Sequence, residues 1–135
     1  MFFEKKDKDN DNFLIKVSAL LIHTAKIDGD YAKKEEEIIK GTLLKLGAKK
    51  ENLESLIKKG KELEENSNQI LEFTKEVKTM DEQNKIKIVE TLWEIIYSNE
   101  QADVYETNLM RRLAGLLYID DKLMGKIKEK IKKEN

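Results

Sequence analysis

Not one proline interrupts the 135 residues of this chain. Strand-rich domains punctuate their turns with Pro and Gly, and their half-buried strands alternate apolar with polar residues. Here apolar residues recur at intervals of three and four, as in Phe13, Leu14, Val17, Leu20 and Leu21. That spacing lines one face of an α-helix. The expected fold class is all-α: a single compact domain of about seven helices, with an internal pseudo-repeat of helical pairs.

The first dozen residues, "MFFEKKDKDNDN", are charged and aperiodic, and predict a flexible tail over 1–12 ahead of a helical domain over 13–135. The pattern then predicts a first helix from Phe13 to Ile27 and a second from Lys33 to Leu46, which Gly47 stops. A short third helix carries Leu53, Leu56 and Ile57, and a fourth spans Asn68 to Lys78. "TMDE" reads as a capping box from Thr79 to Glu82, opening a long fifth helix around Trp93. A sixth follows from Val104 to Leu117, and a seventh starts near Asp120.

Composition narrows function by exclusion. The chain balances 26 basic against 27 acidic residues, so no global field draws it to nucleic acid or an anionic membrane. Arg111 and Arg112 are its only arginines, and lysine reads bases and phosphates poorly. No cysteine is present, which removes thiolate metal sites and cysteine nucleophiles and fits a reducing cytoplasm. The opening residues lack the apolar core of a signal peptide, and no apolar run is long enough to span a bilayer. The expectation is a cytoplasmic protein with no integral membrane segment and no nucleic-acid partner.

A degenerate repeat organises the rest. "LIHTAKIDGDYAKKE", 21–35, aligns without gaps on "LWEIIYSNEQADVYE", 92–106. Asp28 falls on Asn99, Gly29 on Glu100 and Glu35 on Glu106. Each half reads as an apolar helix, a tight turn and a second helix that begins with an acid. Capping accounts for part of this. Glu35 falls at the third position of its helix, and Asp103-x-x-Glu106 is a capping-box arrangement. Asp28 is different, because it stands at a helix C-terminus, where the dipole disfavours an anion. Residues 28–37 also hold five acids against two lysines. Carboxylates on both sides of a tight turn suit a hard cation such as Mg²⁺ or Ca²⁺. The other acidic run, Asp7-x-Asp9-x-Asp11, fails as a calcium loop: its sixth position is Asn12 and its twelfth is Ser18.

"KIDGDYAKKE" and the stretch from Phe73 through "VYETNLMRRLAGLLYIDD" resemble the TerB-like family, the tellurite-resistance TerB proteins and relatives such as the N-terminal region of DjlA-type co-chaperones. The resemblance covers Phe13 to Ile131. It implies an all-α fold of about seven helices with an internal pseudo-repeat, each half carrying an A-D-G turn followed by Glu. These acids are implied to form a metal-binding or interaction surface. Asp28, Gly29 and Glu35 match the first motif, and Glu106 matches the acid of the second. Asn99 and Glu100 replace the Asp and Gly of the second turn. Asn99 keeps a carbonyl oxygen but not the charge. The candidate metal residues are therefore Asp28, Glu35, Asn99 and Glu106, with Mg²⁺ or Ca²⁺ as the candidate ion.

Other residues carry less. His23 is the only histidine, so zinc is disfavoured. Trp93 and its leucines read as core, Arg111 and Arg112 as partners for acids on neighbouring helices, and "KIKEKIKK", 126–133, as a solvated helix face. No phosphate loop and no serine–base pair occurs, and the carboxylates lie at helix ends, which argues against an enzyme. The reading is a non-enzymatic acidic binding module for a divalent cation, a partner protein, or both, related to stress or tellurite resistance by resemblance. The rivals are a co-chaperone-like interaction module whose acids only cap helices, and a carboxylate-metal hydrolase.

Overall fold

Helix α1 (Phe2–Ile27) is the longest element and lies at the centre of the packing. The computed structural model describes the backbone of residues 2–27, 33–66, 71–75, 77–98 and 104–134, and the side chains of 11–26, 33–66, 73–75, 77–97 and 110–134. After α1 come α2 (Lys33–Lys45), α3 (Leu53–Asn66), α4 (Leu71–Thr74), α5 (Glu82–Ser98), α6 (Val104–Leu116) and α7 (Asp121–Glu134). Single 3₁₀ turns occupy Lys50–Asn52 and Val77–Thr79, and no strand occurs among the described residues.

Three expectations change. α1 is helical from Phe2, whereas the aperiodic charge of residues 1–12 predicted a tail there. Apolar periodicity reports burial, not helix. Once Leu14 and Val17 are held in the core, each residue added toward the N-terminus continues the hydrogen-bond ladder without a new nucleation cost. The fourth helix divides into α4 and the 3₁₀ turn Val77–Thr79, which bury Phe73 and Val77. The capping box expected from Thr79 to Glu82 gives way to a cap by Asp81. Its Oδ1 accepts the Asn84 N–H at 3.1 Å, and its carbonyl accepts the Lys85 N–H at 3.1 Å. Either oxygen-bearing residue offers a cap, and the turn occupied by Thr79 leaves Asp81 at the half-in position.

α1 buries a broad face between residues 14 and 25, with Leu14, Val17, Ser18, Leu20, Leu21, Ile22 and Ala25 all at 0% exposure, while Asn12 and Lys26 stay exposed. It packs on α2, α3, α4 and α5, while α5 in turn packs on α2 and α7. The closest approach joins α1 to α3 at Gly60, where an added Cβ would stand 2.6 Å from the Cβ of Ser18. Ser18 Oγ is buried without a hydrogen-bond partner, so the residue is there for its small size. Buried Thr42 and Thr91 join α2 to α5 through their hydroxyls.

The repeat extends well beyond the fifteen residues that show it in sequence. α2 and α6 start and end at a constant spacing of 71 residues (33 to 104, 45 to 116), and so do the ends of α1 and α5 (27 to 98). Burial follows the same spacing: Val17, Ser18, Leu21, Ile22 and Ala25 correspond to Ile88, Val89, Leu92, Trp93 and Ile96, all buried. The helix stops correspond as well. Gly47 N–H bonds Leu44 O at 3.1 Å and Ala48 N–H bonds Leu43 O at 2.9 Å, a Schellman stop with Gly47 at φ 104°. In the second half Tyr118 N–H bonds Gly115 O at 3.3 Å and Ile119 N–H bonds Ala114 O at 2.9 Å, with Tyr118 at φ 57°. Tyr118 takes a conformation that glycine fills at no steric cost, and Lys78 Nζ stands 5.4 Å from its ring.

Two glycine substitutions separate packing from propensity. Gly60→Ala must push α1 and α3 apart and should destabilise by about 1–3 kcal/mol in urea unfolding. Gly41→Ala, whose new methyl meets nothing within 4 Å inside α2, should stabilise by up to about 1 kcal/mol.

Candidate functional site

The repeated acids sit where each apolar helix turns into its partner. Lys33 opens α2, so Glu35 is the third helical residue, as expected, and Glu36 shares its first turn. Val104 likewise opens α6 and makes Glu106 its third residue. Glu35 is 7% exposed, an unusual degree of burial for a carboxylate at a helix start. The positive end of α2 favours the anion there.

Of the four candidate metal residues, Glu35 alone has a described side chain. Asp28 and Asn99 lie outside the described residues, as do the side chain of Glu106 and the expected N-caps Ala32 and Asp103. Among the described residues no three His, Cys, Asp or Glu side chains gather as a metal-ion site. The candidate set offers carboxylate and amide oxygens and no sulfur or imidazole, a donor chemistry that fits Mg²⁺ or Ca²⁺ and not zinc.

The structure adds an ionic cluster that the sequence reading did not assemble. His23 and Lys26 project from one face of α1 onto Glu64 of α3. His23 Nδ1 donates to Glu64 Oε1 at 3.1 Å, and Lys26 Nζ to Oε2 at 2.6 Å. The His23 ring also tilts against Phe73, with centroids 6.2 Å apart. Burial opposes ionisation of Glu64, yet the hydrogen bonds from Lys26 and His23 outweigh it and hold the carboxyl below its usual range. The signal was the i, i+3 spacing of His23 and Lys26. It went unread because the partner, Glu64, comes from a different helix, 38 residues away from Lys26.

Trp93 is core, as expected, at 3% exposure, and it stacks on Tyr97 with centroids 5.8 Å apart. Burial pushes the Tyr97 hydroxyl up, with Glu129 adding to the shift. α7 turns Met124, Ile127 and Ile131 inward and its lysines outward, the solvated basic face that was expected. Arg111 and Arg112 depart from expectation: both are exposed, and neither forms an ion pair among the described residues. No helix among the described residues is long and apolar enough to cross a membrane.

Two copies of one helical unit, each with an acid in the first turn of its second helix, define an all-α module. The chain belongs to the TerB family: the family model for tellurite resistance protein TerB matches residues 14–129. No curated protein and no solved structure matches it. The family makes this a TerB-like module related to tellurite resistance.

The Glu64 cluster gives an acid-side prediction. A carboxyl held below its unfolded value of about 4.5 stabilises the fold above that pH, and the contribution is lost as pH falls through the lower folded value. Glu64→Gln should therefore destabilise by about 1–2 kcal/mol at pH 7, and the difference between wild type and variant in thermal melts should shrink as pH falls below the usual carboxylate range.

Proposed function

We propose that this protein is a non-enzymatic binding module that uses the acids at its two inter-helix turns to hold a divalent cation, a partner protein, or a partner through a cation. The observation that carries the reading is the burial of Glu35 at the start of α2. Its carboxylate oxygens are the donor type that a hard cation takes, and the helix start holds them in place at the turn. The constant spacing of helix ends on both sides of the two turns supports a second acid, Glu106, in the equivalent place. Asp28 and Asn99 complete the set, and the missing charge at Asn99 makes the site weak.

Each residue has a separate duty in this reading. Glu35 and Glu106 supply carboxylate oxygens that the helix N-termini also stabilise, so they serve as both caps and ligands. Asp28 supplies an anion that its helix C-terminus disfavours, and a bound cation removes that penalty. Asn99 supplies a neutral carbonyl oxygen. A basic segment of a partner protein meets the same surface through the same charges.

Wild-type protein titrated with Mg²⁺ and with Ca²⁺ by NMR should show weak saturable binding, with a dissociation constant of roughly 0.1–1 mM. Asn99→Asp should tighten it, because charge count tunes affinity at such sites. Glu35→Gln should weaken it while changing stability little, since Gln also serves at the third position of a capped helix. Absence of any site-specific response in wild type and Asn99→Asp sinks the cation reading and leaves a surface that attracts a basic partner.

A further inference from the structure

A cleft of about 570 Å³ opens between α5, α6 and α7. Trp93, Met110 and Met124 form its apolar walls, and Arg111, Lys128, Asp121 and Gly125 lie at its rim. The size falls within the range of small-molecule sites. Lys128 Nζ stands 5.5 Å from the Trp93 ring centroid. Trp93 Nε1 is buried and has no hydrogen-bond partner, a donor left over inside the protein.

Burial carries the 71-residue spacing into α3 and α7, where Leu53, Leu56 and Gly60 correspond to Met124, Ile127 and Ile131, and that spacing shows what has changed here. The counterparts of Arg111, Gly125, Lys128 and Trp93 are Lys40, Glu54, Ile57 and Ile22. In the first half Lys40 Nζ bonds Glu54 Oε1 at 2.7 Å, joining α2 to α3. Ile22 and Ile57 are packed beneath them at 0% and 2% exposure. That half answers its own cation with its own carboxylate. In the second half the cation remains as Arg111, the carboxylate has become Gly125, and two apolar residues have become a lysine and an indole with a free N–H.

We propose that this cleft binds a small organic carboxylate, whose carboxyl group takes the place held by the Glu54 carboxylate in the first half. Arg111 provides a planar fork suited to a carboxylate, and it is one of two arginines in a chain otherwise supplied with lysine. Lys128 adds a second cation. Among the described lining residues, Asp121 leaves a net charge of one, which matches a monoanion in preference to a polyphosphate. The apolar body of the ligand lies along Trp93, Met110 and Met124. Gly125 leaves the room: a Cβ built there meets nothing within 4 Å. This site is separate from the acids at the inter-helix turns and does not depend on the function proposed for them.

Trp93 is the only tryptophan, so its indole N–H gives a single resonance that reports the cleft directly. Full-length protein is titrated by NMR with benzoate, octanoate and 4-phenylbutyrate, and with 4-phenylbutanol as the neutral counterpart. At least one carboxylate should move the indole resonance saturably, and the alcohol should bind weaker than 4-phenylbutyrate by about tenfold or more. Arg111→Ala should weaken binding similarly. Gly125→Glu restores the internal carboxylate and should abolish the response while raising the melting temperature, because Gly is a poor helix residue. Gly125→Ala should raise the melting temperature and keep binding. The proposal is overturned if no carboxylate gives a saturable shift, if the alcohol binds as well as its acid, or if Gly125→Glu binds like wild type.

Discussion

The architecture depends on the burial of one broad face of α1, from Leu14 to Ala25. Such a face has to be small where a neighbour comes closest and largely apolar elsewhere, and α1 meets both conditions there. Ser18 faces Gly60 at the crossing with α3, and the remaining contacts are made by Leu, Ile, Val and Ala. Close packing of this type is sensitive to single methyl groups, because an interior at near-crystalline density has no room to yield. The buried hydroxyl of Ser18, which lacks a hydrogen-bond partner, shows how far size outranks polarity at that point. The surface elements that carry the candidate sites are positioned by what they can reach around this central rod.

Two halves whose second helices share both bounds at one spacing, and whose buried positions follow it, differ in how tightly they close. In the first, Ser18 and Gly60 bring α1 and α3 together, and Lys40–Glu54 fastens α2 to α3. In the second, the counterparts of Ser18 and Gly60 are Val89 and Ile131, two bulky buried residues where the first half has two small ones. The counterpart of the fastening ion pair is Arg111 with Gly125. A tightly closed unit and an open unit thus lie in one domain. The difference traces to five or so side chains and not to a change of fold.

Much of the fold was legible because helix period and helix stops are local signals. The starts of α2 and α6 were placed correctly from the acids of their first turns, and Gly47 ended α2 where its φ of 104° requires glycine. The misses have more than one cause. Residues 2–12 form a helix without an apolar pattern in their sequence, so periodicity, which senses burial, could not see it. Thr79 and Asp81 were rival caps two residues apart, and only the 3₁₀ turn before them decides between them. Of the candidate residues, the places of Glu35 and Glu106 as third residues of α2 and α6 were legible from the sequence. The His23–Lys26–Glu64 cluster and the cleft were not, because each depends on side chains from different helices.

The divergence between the halves also bears on why a chain otherwise supplied with lysine has an arginine at position 111. An exposed lysine satisfies its charge with water at little cost, and twenty-four lysines serve that purpose here. A guanidinium differs from an ammonium chiefly in its fixed, planar, two-pronged donor set, which helps only where a planar acceptor meets it. In the first half the corresponding partnership is internal, and a lysine suffices because Glu54 is tethered to the same domain. Once the partner carboxylate is removed, as at Gly125, the cation has to recognise an acceptor that arrives from outside. Recognition of an untethered carboxylate gains most from bidentate geometry. Arginine at position 111 and glycine at position 125 are therefore two parts of one change.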